Sequence, residues 1–119
     1  MYRLTERAEK QFAAILAWSE EKYDSSHAGR YEMLMLAAMG DLADDPGRFG
    51  ATPVPRTSGI RVYELRHSKN RAPRTQRIRS PWHKLIYRPL PDGTVEILAI
   101  VGLSYPSGRA ARAAMQDAG

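Results

Sequence analysis

The chain has 119 residues, 43% hydrophobic and 26% charged, which suits one folded domain with a single core and excludes both a largely disordered chain and two independent cores. It contains no cysteine, so disulfide staples and thiolate metal sites are excluded and stability must come from the core. The net charge of +5 is unevenly spread: residues 56 to 88 carry ten Lys or Arg against one acid, Glu64, a local +9 that leaves the remainder at −4. A field of that kind attracts phosphate backbones or acidic protein surfaces. No apolar run approaches the roughly 18 residues that a spanning helix needs, and MYRLTERAEKQF lacks the apolar stretch of a secretory signal. The expected location is therefore the cytoplasm, with no membrane association.

Tyr2 to Leu4 is a short β-like run, and Thr5 stands where a helix N-cap belongs, its hydroxyl able to accept from an otherwise orphaned backbone N–H. From about residue 6 to 23, Ala8, Phe12, Ile15, Leu16, Ser19 and Tyr23 recur at three- and four-residue intervals, predicting an amphipathic helix. Asp24, Ser25 and Ser26 break the pattern and offer caps for a second helix. That helix runs to about Ala43, with Tyr31, Leu34, Met35, Ala38, Met39 and Leu42 on its apolar stripe, and Asp44-Asp45-Pro46-Gly47 stops it. Two amphipathic helices joined so closely pair antiparallel. The cluster Met33, Met35 and Met39 reads as core filler in preference to an adaptable partner groove.

Residues 46 to 59 hold three prolines and three glycines without periodicity and form a connector. The period then changes to two. Ile60, Val62 and Leu65 mark one strand, KLIYR (84 to 88) a second, and TVEILAIV (94 to 101) a third whose apolar run suits an interior position. Pro91-Asp92-Gly93 supplies the turn between the last two. Between the first two lies SKNRAPRTQRIRSP, a basic loop in which Thr75 to Arg79 alternates like a strand. SYPSGRAARAAM makes one or two helical turns, and Asp117-Ala118-Gly119 frays. The expected fold is α+β, an antiparallel helical hairpin packed on a roughly four-stranded, mainly antiparallel twisted sheet.

This order resembles the RelE/ParE toxins of type II toxin–antitoxin systems over nearly the whole chain: YRLTERAEKQF at the start, Trp18 and Ser19 before EEKY, the Asp45-Pro46-Gly47 stop, and the His83-x-x-x-Tyr87-Arg88 strand. ParE-like members are the most similar. The resemblance implies a toxin that poisons DNA gyrase and is neutralised by a cognate antitoxin wrapping it, without a cofactor or a small-molecule substrate. RelE-like members imply instead a ribosome-dependent endonuclease acting on mRNA. A third reading is a non-toxic basic binding module.

RNA cleavage needs a base, a cation for the phosphorane and an acid for the leaving oxygen. The RelE pattern places an Arg just past the last strand and an aromatic or His acid–base group near the C-terminus, where this chain has Gly102, Leu103, Ser104, Ala110 and Ala111. Substitutes for a nuclease would be Arg79, His83, Tyr105 and Arg109. The ParE pattern has departures of its own, Ala99 and Gly102 standing where a basic residue and a closing His are common. The binding reading assigns Arg66, Arg71, Arg74, Arg77, Arg79 and Arg88 to the acidic antitoxin or the target, because the planar guanidinium grips carboxylate and phosphate bidentately. Solvated surface is the bland alternative for the same residues. Trp18, at the edge of the first helix's apolar face, is expected to be exposed and covered by antitoxin. His67 and His83 lack a third His or a Cys to complete a metal site, and His83 reads as a packed sheet residue.

Overall fold

A computed structural model describes residues 1–118; Gly119, expected to fray, lies outside the described residues. The chain runs β1 (Tyr2–Leu4), α1 (Glu6–Lys22), α2 (Ser25–Asp44), β2 (Thr52–Pro53), β3 (Arg61–Glu64), β4 (His83–Pro89), β5 (Val95–Gly102) and α3 (Ser107–Ala118). The fold is α+β. Its sheet has five strands in the order β1-β5-β4-β3-β2, and it is mixed, because β1 lies parallel to β5 while the other pairs are antiparallel. The expected count of about four strands missed the two-residue β2, too short to leave a periodic signal.

The helix boundaries follow from local chemistry. Thr5 caps α1 with its hydroxyl accepting from the Ala8 N–H at 3.2 Å, and the same Oγ1 donates to the Leu98 carbonyl at 3.2 Å, tying the helix start to β5. Replacing Thr5 by Ala removes both bonds. The expected loss is about 1–2 kcal/mol, read as a lowered urea midpoint with unchanged slope. Asp24 caps α2 through its carboxylate and the His27 N–H at 2.7 Å, so the two helices are joined by Tyr23 and Asp24 alone. Gly93 takes φ +89° in the β4–β5 turn, where Asp92 Oδ1 accepts from the Thr94 N–H.

The two faces of the sheet are covered differently. Met35, Met39 and Leu42 of the hairpin pack with Tyr63, Leu85, Tyr87 and Ile97 on one face. On the other, α3 brings Ala110, Ala111 and Ala114, with Met115 partly buried beside them, against Ile86, Leu98 and Ala99. A bulge at Ile86/Tyr87 leaves Leu98 unpaired in the register, which turns Ile97 and Ile100 toward the hairpin and Leu98 and Ala99 toward α3.

Four local expectations change. Leu65 is not in a strand: it opens a 3-10 helix, Leu65–Arg71, and sits fully buried. Thr75 to Arg79 is not a strand either, since Arg74–Gln76 is a 3-10 turn and the rest is irregular, with only Ile78 turned inward. The C-terminal segment makes a 12-residue helix, not one or two turns, because its alanines gain a packing surface on the sheet. Met33 is 61% exposed and leaves Met35 and Met39 as the core methionines. Among the described residues no helix is long and apolar enough to cross a membrane.

Candidate functional site

The basic segment follows α2. Near the helix's C-terminal end, Ser68 Oγ donates to Asp41 Oδ2 at 2.7 Å, and Tyr63 Oη lies 2.7 Å from the same hydroxyl. At the other end the Trp82 backbone N–H donates to Tyr31 Oη at 3.0 Å. Asp41 and Tyr31 stand ten positions apart on α2, about 15 Å along its axis, and buried Ile78 adds an apolar anchor between them. The segment is thereby fixed along the helix while its cations face water.

Asp41 is the keystone of this arrangement. Its side chain is 4% exposed and takes Arg48 at 2.9 Å and Arg71 at 3.4 Å as well as Ser68. Arg66 pairs with Glu64 at 2.7 Å, and Arg77 Nε donates to the Ala72 carbonyl at 2.9 Å. Among the described residues, Lys69, Arg74, Arg77 and Arg79 have no acid within ion-pair distance. Those four carry the uncompensated charge of the segment. Arg88, expected with the binding arginines, lies elsewhere: it pairs with the buried Glu96 at 2.8 Å on the α3 side, where its guanidinium also meets the Met115 sulfur. Its two-residue alternation with Tyr87 turns it to the opposite face of the sheet.

An aromatic cluster closes the Tyr31 end. Trp18 meets Tyr23 edge-on at 6.2 Å between centroids, Tyr23 meets His27 at 4.2 Å, and Tyr31, Trp18 and Trp82 all pack on the His83 ring within 6.3 Å. Lys22 Nζ sits 5.2 Å over the Trp18 ring. Trp18 is 41% exposed, as expected, and Tyr23 and Trp82 are each 55% exposed. Trp82 lies flat enough on Gly102 that an added Cβ there would stand 3.3 Å from the indole.

The residues that a nuclease would use do not converge. His83 is buried, with Nδ1 2.6 Å from Tyr31 Oη, and burial pushes its pKa down to about 4, so the ring is neutral at physiological pH. Burial raises the Tyr31 hydroxyl to about 12. A protonated phenol beside a neutral imidazole has Nδ1 as acceptor for its own proton while it accepts from Trp82. His83 faces the hairpin, Arg109 belongs to α3 on the other face, and Tyr105 lies between β5 and α3. Arg79 is exposed, three residues before Trp82. His67 packs between Phe49 and Tyr63, away from His83. A cleft of about 660 Å³ does lie between α1 and α3, but its charges are matched within it: Arg7 with Asp117, Lys10 with Glu6, Arg88 with Glu96.

Sequence reasoning passed over Asp41, Tyr31 as a polar anchor, and Trp82. A signal existed for Asp41, which stands three residues after Ala38 on the apolar stripe of α2, where an acid requires a partner. None existed for Trp82, whose neighbours come from three separate elements. The sequence matches no protein-family model and no curated protein.

Proposed function

We propose that this protein is a ParE-like toxin of a type II toxin–antitoxin pair, inhibiting growth by binding DNA gyrase and neutralised by a cognate antitoxin in the cytoplasm. The observation that carries this reading is the chain order: a strand, an antiparallel helix pair, then three strands, β3, β4 and β5, paired antiparallel in succession. That is the order expected from the resemblance in YRLTERAEKQF and in the His83-x-x-x-Tyr87-Arg88 strand. A RelE/ParE-like arrangement then accommodates the fifth strand as a short edge addition. Binding is favoured over RNA cleavage because a cationic ridge with four unpaired charges offers a contact surface, whereas His83, Tyr105 and Arg109 sit on different sides of the sheet.

The test is induced expression followed by two assays on purified protein. Growth arrest relieved by co-expressing the neighbouring reading frame is the expected result, and its absence leaves the non-toxic binding module. Accumulation of gyrase-cleaved plasmid with ribosome-bound message left intact is expected. Cleaved message with untouched plasmid would replace the gyrase inhibitor by the ribosome-dependent endonuclease.

A further inference from the structure

The segment from Leu65 to Trp82 carries six cations and no acid. What it turns to water is narrower in chemistry than charge alone implies. Between Arg66 and Ser80 ten side chains are exposed: five arginines, Asn70, Thr75, Gln76, Ser80 and one proline, Pro73. Its large apolar members, Leu65 and Ile78, lie in the core. Cationic side chains interleaved with hydroxyls and amides are the set that contacts phosphate and sugar oxygens of nucleic acid. We propose that this ridge binds the phosphate backbone of duplex DNA, with Lys69, Arg74, Arg77 and Arg79 neutralising phosphates and no base being read. The choice of DNA over RNA rests on the toxin reading, in which the target enzyme works on duplex DNA, and the inference deepens that reading by naming a second partner.

The backbone that presents these groups is held in advance. Ser68 on Asp41, buried Ile78 and the Trp82 N–H on Tyr31 fix it along α2, and the Arg77 Nε bond to the Ala72 carbonyl orients that guanidinium. Binding therefore orders side-chain ends and not the chain, which lowers its entropic cost. The run between the Asp41 and Tyr31 anchors, about 15 Å, matches a length of duplex bearing roughly nine phosphate charges, more than twice what four cations require. Charge outside the ridge helps to aim it: residues 56 to 88 are +9 and the remainder −4, so a polyanion is met basic side first. A protein partner is disfavoured because no exposed aromatic and no exposed apolar side chain except Pro73 lies between Arg66 and Ser80 to anchor one. A single strand is disfavoured because bases find nothing to stack on: Trp82 has its ring against Gly102, and Trp18 and Tyr23 stand edge-on at 87°.

The experiment is fluorescence anisotropy of labelled duplexes of about 20 base pairs, titrated with the full chain between about 50 and 200 mM salt. Two unrelated sequences should bind within about twofold of each other, with affinity falling about 150-fold over that range, the slope for four neutralised phosphates. Arg74→Ala with Arg79→Ala should cut the fall to roughly tenfold, each lost cation removing about one unit of slope. The pair Lys10→Ala with Arg112→Ala, on α1 and α3, lowers the net charge equally and should keep the wild-type slope. Neither Arg74 nor Arg79 touches an acid among the described residues, so the ridge pair should melt within about 2 °C of wild type. If it does not fold, Arg74→Gln with Arg79→Gln replaces it. No binding at the lowest salt, or the same slope in the ridge and control pairs, overturns the proposal. Tighter binding to a single strand or to duplex RNA of the same length overturns the choice of duplex DNA. Poly-glutamate that displaces the duplex at equal charge concentration overturns it as well and assigns the ridge to an acidic protein segment. DNA binding without growth arrest sinks the toxin reading alone, whereas growth arrest without DNA binding sinks this inference alone.

Discussion

Replacing Asp41 by Ala is expected to lower stability by about 2–4 kcal/mol, somewhat under the full penalty for breaking a buried ion pair because Arg48 and Arg71 can turn toward water. The carboxylate is 4% exposed and its two oxygens hold Ser68, Arg48 and Arg71 together. Ser68, itself 2% exposed, would keep only the Tyr63 hydroxyl as partner. For a chain of this length the loss corresponds to a fall in melting temperature of roughly 10 °C. The effect should also be local. Ser68 fixes one end of the basic segment to α2, so amide hydrogen exchange across residues 65 to 76 should accelerate more than across β4 and β5. Asp41→Asn should recover part of the loss, because the amide oxygen still accepts from Ser68 while its NH2 meets the arginines. A melting temperature within 2 °C of wild type in the Ala variant would remove Asp41 from its central place.

Acidification should weaken the fold through His83. Its pKa is about 4 in the folded chain, depressed by burial against an ordinary 6.5. The unfolded chain therefore takes up a proton between pH 6.5 and 4 that the folded chain refuses, so stability is fully present above pH 6.5 and falls as pH drops through this window. The share due to His83 is roughly 2 kcal/mol lost by pH 5 and roughly 3 by pH 4. Urea unfolding at pH 7.5 and pH 5 measures it. His67, whose pKa burial and Arg66 also lower, adds a slope of the same sign. His83→Gln keeps an acceptor for the Tyr31 hydroxyl and has no proton to gain, so it should be less stable at pH 7.5 but noticeably flatter between the two pH values. A variant as pH-sensitive as wild type would show that the buried ring is not what acid attacks.

The helical half of the molecule was legible because its signals are local. Thr5 and Asp24 are caps whose hydrogen bonds lie within three residues, and the stripe from Tyr31 to Leu42 repeats at helical spacing, so both helices fell within a residue or two of expectation. The turn at Asp92-Gly93 and the apolar run of β5 were legible for the same reason. Leu65 was misread because a buried leucine three residues after Val62, directly after an extended run, reads as the end of a strand as readily as the first turn of a 3-10 helix. What decides between them is whether Ser68 finds Asp41, 27 positions away. The length of α3 had a similar origin. Alanine-rich GRAARAAM is a modest helix former by itself, and its contact with Ile86 and Leu98 extends it.

The surface divides along the same line. Sequence by itself determined that a dense run of cations stands between β3 and β4, that Trp18 lies at the margin of an apolar stripe, and that the fold mixes a helical hairpin with a sheet. These depend on composition and on periods of two and 3.6 residues, which the chain carries at every point. Only the tertiary structure decided which cations find an acid, since among the described residues Arg66, Arg71 and Arg88 reach Glu64, Asp41 and Glu96, the last two carboxylates being shared with Arg48 and Arg3, while Arg74 and Arg79 reach none. Only it could bring Trp82 to Trp18 across a buried histidine, or turn Arg88 to the face opposite the ridge. Pairing and facing are set by contacts between residues dozens of positions apart, and which arginines a carboxylate holds is written in distance, not in order along the chain.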